Sequence, residues 1–233
     1  MRIFYYLFNS RALLNRSFFL YNPKLFIALL ISAGSLTVFS QSPGIRFNRI
    51  TINQGLSLSS VYCIHQDNKG FLWFGTEDGL NKFDGKNFRI FRNIPGDTNS
   101  ISYKWTEIIY EDLSGMLWFG SRRGLTRFDP VNEIFCQYYA DAKDPESLAN
   151  DTITAVAKDT GNNLWVGTAR GLNRINITTG AIERISVKGN GTHKIDSRIN
   201  VLLPDNKGNL LIGSQYGLFY YDHEASLVSK IHL

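Results

Sequence analysis

The residue types able to do chemistry in this chain are few and scattered. Four histidines, His65, His193, His223 and His232, stand apart with neither H-E-x-x-H spacing nor the paired Cys/His of a metal centre. They read as surface or strand-face residues, and no metal is expected. Carboxylates such as Glu77-Asp78 recur at matching places along the chain, whereas a general acid/base pair is a unique arrangement. Turn formation explains the recurring aspartates, so no catalytic residue is nominated. Gly189-Asn190-Gly191 lacks the strand-to-helix junction of a phosphate cradle, and no cofactor is expected. The two cysteines, Cys63 and Cys136, fall at apolar strand positions, and Cys63 reads as a small core residue rather than half of a disulfide.

What remains is recognition chemistry at positions that vary while their neighbours repeat. Ser60, Trp105, Thr152 and Arg198 form one such set; Glu77/Asp78, Arg122/Arg123, Ala169/Arg170 and Gln215/Tyr216 form another. Variable loops on a rigid scaffold carry specificity. Trp105, Arg122, Arg123, Arg170, Arg198 and Tyr216 are therefore the candidate ligand-binding residues, an exposed Trp suiting sugar stacking and Arg suiting acidic groups. Solvated loops, or contact with a second propeller, account for any one of them as well.

The scaffold behind these positions is a repeat. Trp73, Trp118, Trp165 and then Leu211 follow one another at intervals of 45, 47 and 46 residues. The copies read DNKGFLWFGTEDGLNKFD, DLSGMLWFGSRRGLTRFD, DTGNNLWVGTARGLNRIN and DNKGNLLIGSQYGLFYYD, from Asp67, Asp112, Asp159 and Asp205. Asp-x-x-Gly supplies a turn, with the third copy, whose glycine shifts to Gly161, expected to differ. The following apolar run is too continuous for a one-sided sheet and predicts a strand buried on both faces, its Trp wedged between neighbouring units. Gly75, Gly120, Gly167 and Gly213 lie inside that strand and imply a bulge or close backbone approach. A two-residue tip closed by Gly79, Gly124, Gly171 or Gly217 leads into a third strand. Val61 to His65 and Ile153 to Ala157 read as first strands, and Phe88 to Phe91, Ile134 to Tyr138 and Ile182 to Val187 as outer ones. Four short antiparallel strands per copy describe a β-propeller blade, and the absence of an i, i+3, i+4, i+7 pattern argues against a helical solenoid. The fold class is all-β: an arc of about four blades, incomplete relative to a larger propeller.

The motif D-x-x-G-x-L-W-x-G-T-x-x-G-L-x-x-[FY]-D, over roughly residues 45 to 225, resembles the two-component regulator propeller repeat. Phe47 to Thr51 and Gly55 to Ser57 resemble the opening of the periplasmic sensor region of Bacteroides-type hybrid histidine kinases. The resemblance implies an extracytoplasmic sensor, itself non-enzymatic, that responds to glycan breakdown products and signals through a membrane helix to a kinase. It further implies an oligosaccharide ligand, further blades and a downstream membrane and kinase region as partners, and a homodimer in the full protein. The chain shows no kinase motif of its own, so it is expected to be the N-terminal part of such a sensor. A propeller enzyme acting on glycans and a protein-interaction scaffold stand as alternatives.

Composition agrees with a globular exported protein. The 233 residues are 43% hydrophobic and 13% aromatic. The formal charge of +5 owes four units to Arg2, Arg11, Arg16 and Lys24; without these four of the 25 basic residues, 21 face 20 acidic ones. A body so nearly neutral gives no footing for nucleic acid. The basic start, the apolar Leu25 to Phe39 and Val38-Phe39-Ser40 before Gln41 have the order of a secretory signal. Fifteen helical residues would reach about 22 Å, short of a hydrocarbon core of roughly 30 Å. The expected organisation is a signal peptide at 1–40, a lead-in strand at 41–58, and blades at 59–100, 101–149, 150–195 and 196–233, the last truncated.

Overall fold

The computed structural model describes residues 47–185 and 197–231. The signal peptide expected at 1–40 therefore lies outside the described residues. Among the described residues, sixteen strands form four separate antiparallel sheets, each a simple meander in chain order. Blade 1 holds β1 (Val61–Gln66), β2 (Leu72–Thr76), β3 (Gly79–Phe83) and β4 (Phe88–Phe91). Blade 2 holds β5 (Thr106–Glu111), β6 (Leu117–Ser121), β7 (Gly124–Asp129) and β8 (Ile134–Tyr138). Blade 3 holds β9 (Ile153–Lys158), β10 (Asn163–Thr168), β11 (Gly171–Asn176) and β12 (Ile182–Ile185). Blade 4 holds β13 (Ile199–Pro204), β14 (Leu210–Ser214), β15 (Gly217–Asp222) and β16 (Leu227–Lys230).

Over its described part, 47–58, the lead-in expected as a strand at 41–58 holds no strand. Residues 47–51 have no sheet partner, and Ile52–Gln54 form a 3-10 turn capped by the Thr51 side chain. Gly and Asn near this point favour a turn, and Leu56 behind it is 5% exposed, a plug rather than a rung of a ladder. Ile101 and Leu148, before blades 2 and 3, are the corresponding plugs and are likewise buried. Each sits in a D-x-x-S loop whose serine hydroxyl donates to the aspartate carbonyl: Ser100 to Asp97 at 2.9 Å and Ser147 to Asp144 at 2.8 Å. The outer strand of the following blade locks each loop. Gln137 donates to the Ser100 carbonyl at 2.7 Å, and Arg184 donates to the carbonyls of Asp141, Asp144, Ser147 and Leu148 at 2.8–3.1 Å.

The three tryptophans complete the junctions between blades. Trp73, Trp118 and Trp165 are fully buried, and each joins a core cluster whose other members come largely from the following blade. Trp73 lies 5.8 Å from Phe91 of its own blade and 5.9 Å from Phe119 of the next. The repeated aspartate does more than turn the chain. Asp67 Oδ1 accepts the backbone N–H groups of Lys69 and Phe71 while Oδ2 accepts the Trp73 indole N–H at 2.8 Å. Asp112 holds Trp118 at 2.9 Å and Asp159 holds Trp165 at 3.2 Å in the same way. Across the sheet each Trp faces a cation, Lys82, Arg127 or Arg174, whose charge lies 5.4–5.8 Å from the ring. Where the fourth copy has Leu211, the facing residue is Tyr220 and Asp205 turns instead to the Asn209 side chain.

The third turn differs as expected. Gly70, Gly115 and Gly208 have positive φ and donate to the aspartate carbonyl, whereas Asn162, the equivalent residue of the third turn, does neither. The strand glycines mark close approach between blades: a Cβ at Gly167 would lie 2.6 Å from Ile199 Cγ2, the first residue of the next blade. Both cysteines are free thiols; Cys63 is partly covered and Cys136 exposed. Burial pushes the Cys63 thiol up to about 12, so it stays protonated at neutral pH. In native protein at pH 8, a thiol reagent is expected to label Cys136 quickly and Cys63 only after unfolding. Mass spectrometry of timed samples checks this, and equal labelling rates would refute it.

Candidate functional site

The variable positions gather at one end of the array because backbone hydrogen bonds bring them there. Gly79 N–H donates to the Lys104 carbonyl at 2.6 Å and Gly124 N–H to the Asp151 carbonyl at 2.8 Å, joining each hairpin tip to the segment ahead of the next blade. Within blades 3 and 4, Ala169 donates to Thr152 at 2.9 Å and Gln215 to Arg198 at 3.0 Å. Each tip is closed from within by a hydroxyl. Thr76, Ser121, Thr168 and Ser214 donate to the carbonyls of Gly79, Gly124, Gly171 and Gly217 at 2.8–3.0 Å. Gly79, at φ +104, occupies the left-handed region that this turn demands.

Every inner strand breaks register once at this end, between Val61 and Cys63, Thr106 and Ile108, Ile153 and Ala155, and Ile199 and Val201. A bulge re-aims the extra side chain. The bulged residues are Tyr62, Glu107, Thr154 and Asn200, and the first two meet candidates nominated from sequence.

At the junction of blades 1 and 2 these residues form a ladder. The Glu77 carboxylate accepts from the Tyr62 hydroxyl, and the Tyr62 ring lies 5.1 Å from the Trp105 ring at 57°. The Arg122 guanidinium sits 4.2 Å from the centroid of Trp105 and donates to Glu107 at 2.9 Å. Acceptance by Glu77 and desolvation raise the Tyr62 phenol above its ordinary value. Trp105 is half-buried rather than exposed, and its indole N–H meets no acceptor among the described residues. A buried donor without an acceptor is costly.

Of the six nominated residues, the fold brings Trp105 and Arg122 into contact. Arg123, beside Arg122 on the same tip, lies 5.3 Å from the Tyr103 ring. Arg170, Arg198 and Tyr216 stand exposed on blades 3 and 4, away from the ladder. Tyr62, Glu77 and Glu107 complete the ladder without having been nominated as binding residues. A bulge leaves no mark in a strand pattern, and the Tyr62–Trp105 contact spans two blades. No group of three or more metal-ligating side chains occurs among the described residues. The grooves elsewhere lie away from this end; one of about 330 Å³ runs along blade 3 between Arg174, Asn176 and Glu183.

Comparison with known proteins agrees with the architecture. Residues 55–78 and 147–170 match the two-component regulator propeller model. An 81-residue stretch is 47% identical to Histidine kinase P4 of Formosa agariphila, covering 35% of this chain and 6% of that protein. The extracellular domain of BT3049 of B. thetaiotaomicron, named as a hybrid two-component system, superposes with a TM-score of 0.66 at 28% identity, over 79% of this chain and 26% of that one. The extracellular domain of BT4673 from the same organism shares the fold, with a TM-score of 0.63 at 23% identity, over 80% of this chain and 28% of that one. The chain thus spans a small fraction of the curated relative and about a quarter of these solved domains. No helix among the described residues is long and apolar enough to cross a membrane.

Proposed function

We propose that this array of two-component regulator propeller repeats is the ligand-reading part of an extracytoplasmic sensor, exported behind residues 1–40, that takes up glycan breakdown products at its tip end. The observation that carries the reading is the Trp105 ladder: an aromatic edge between two blades, flanked by carboxylates and a guanidinium, with an indole donor lacking an acceptor. Aromatic rings and planar polar groups together suit a sugar ring, which presents apolar C–H faces and equatorial hydroxyls. Membrane passage and kinase output belong in this reading to the longer polypeptide, in keeping with the match to a histidine kinase.

The two outermost blade faces fit further blades of the same kind. Ile109, Val156 and Leu202 each pack on the preceding blade, while Ile64, at the equivalent position of blade 1, is 63% exposed. Ala155 and Ala157 pack on blade 4, while their counterparts Val201 and Leu203 are 58% and 62% exposed.

Isothermal titration of the purified chain against a panel of oligosaccharides tests the recognition reading. Trp105→Ala is expected to weaken the best ligand roughly ten-fold or more, the loss of one stacked ring, while the variant stays folded with a melting temperature lowered by the loss of a half-buried side chain. A panel with no binder, or an undiminished affinity in the variant, refutes it. Recovery of the intact protein in the cytoplasmic fraction would refute the export assignment.

A further inference from the structure

Trp105 is the one tryptophan of the four that is not fully buried, yet its ring is covered by its own neighbours. The Arg122 guanidinium lies over the ring at 4.2 Å from its centroid, and the Tyr62 ring rests against it at 5.1 Å. A sugar ring stacking on the face that carries Arg122 needs the layer that the guanidinium fills. Comparison among the copies shows that ring and cation go together. At the position of Trp105 the other blades carry Ser60, Thr152 and Arg198, and at the position of Arg122 they carry Glu77, Ala169 and Gln215. The one copy with a ring is the one with a cation over it. Its anchor is equally particular: the bulged residues are Tyr62, Glu107, Thr154 and Asn200, and the single acid among them is the partner of Arg122.

The hold on Arg122 is light. Its side chain is 56% exposed, and among the described residues it donates one hydrogen bond, from Nε to Glu107 at 2.9 Å, where a carboxylate can take two from a guanidinium fork. Arg184 shows the opposite case, a guanidinium tied to four carbonyls. Exposed ion pairs and exposed cation–π contacts are each weak, so a stacking ligand has enough differential affinity to exchange with them.

We propose that Arg122 is a cover on Trp105, held over the ring by Glu107 while the site is empty and displaced toward solvent when a sugar ring stacks there. This rests on the sugar-binding reading above and adds a closed state to it. With only part of the population open, the cover lowers the apparent affinity, and its removal raises it.

Acrylamide quenching of tryptophan emission reads the cover without any sugar, because Trp73, Trp118 and Trp165 are fully buried and the accessible emission belongs to Trp105. Arg122→Ala, alanine being what blade 3 carries at this position, is expected to steepen the quenching slope, and Glu107→Gln to steepen it less. In a Trp105→Phe background neither substitution is expected to change the slope, which separates the uncovering of one ring from a general loosening of the fold. The oligosaccharide that binds best in the titration above is expected to bind Arg122→Ala about three- to ten-fold more tightly than the unsubstituted chain, with Glu107→Gln between the two. An unchanged quenching slope in Arg122→Ala overturns the cover. Weaker sugar binding in both variants overturns it as well, and makes Arg122 a ligand contact that Glu107 positions. A panel with no binder overturns the sugar reading, while the quenching slopes still decide whether Arg122 covers the ring.

Discussion

Replacing Trp118 by alanine is expected to cost about 3–5 kcal/mol, the range for deleting a large aromatic side chain from a packed core. Domains of this size are stable by roughly 5–15 kcal/mol in total, so the variant should be close to unfolding. The cost has three sources. Trp118 is fully buried against Leu148, Ile153 and Leu164 of the next blade. Its indole N–H satisfies Asp112, and its ring lies 5.8 Å from the Arg127 guanidinium, whose Nε is buried without another partner. Truncation therefore leaves a cavity, a buried carboxylate oxygen and a half-buried cation together.

At the equivalent positions of blade 4, which no described blade follows, Leu211 faces Tyr220 in place of a ring facing a cation. Trp118→Leu should accordingly be less harmful when combined with Arg127→Tyr than when made alone. Urea midpoints of the two single variants and the double variant, read as a cycle, measure the coupling. A loss below about 1 kcal/mol for Trp118→Ala, or strict additivity in the cycle, would show that the ring does not hold the junction.

A methyl group at Gly75 is the second severe change. A Cβ there would stand 2.4 Å from Cys63 Sγ and 2.5 Å from the Thr106 carbonyl oxygen, which opens the inner strand of blade 2. Neither distance is tolerable, and the carbonyl belongs to a backbone fixed by its own ladder. Gly75→Ala is expected to cost about 1–3 kcal/mol by forcing blades 1 and 2 apart, at the upper end because backbone cannot rotate away. Gly167→Ala meets side chains and no backbone: Ile199 Cγ2 at 2.6 Å, Ile199 Cβ at 2.8 Å and Ala155 Cβ at 3.3 Å. The two should therefore respond differently to a second substitution. Ile199→Ala removes the Cγ2 contact but keeps the Cβ and should offset part of the Gly167→Ala clash, whereas Cys63→Ala leaves the contact with the backbone carbonyl at Gly75 untouched and should offset less. Chemical denaturation of both pairs decides the matter; full rescue of Gly75→Ala by Cys63→Ala would remove the carbonyl from the explanation.

The sequence carries the blades because their signals are local. Period, turn residues and apolar runs act within a few positions of one another, and the strands at Val61, Leu117 and Gly171 fall where those signals place them. The Asp-x-x-Gly turn was readable, but the bond from Asp67 to Trp73 was not, since it depends on how the turn folds back over the ring. Some absent signals were present all along. The exchange of Trp-with-cation for Leu211-with-Tyr220 is visible once the strands are paired, and the D-x-x-S loops at Asp97 and Asp144 repeat in plain sight.

The tip end was legible in outline only. Variable positions pointed to Trp105 and Arg122, and their contact is real, but Trp105 is half-buried because Tyr62 reaches it from the blade before. That reach depends on a bulge, and a bulge is a choice between two registers that the residues themselves scarcely express.

The tryptophan junction also bears on how such arrays grow. Each of the first three copies contributes a ring on one side, and each copy after the first supplies, on the other, the inner-strand residues that enclose the ring of the copy before. A segment duplicated in tandem therefore arrives with both halves of the joint it needs, and its neighbours need no new surface to receive it. Gene duplication can lengthen the array one blade at a time, and divergence is then free to act on the tips.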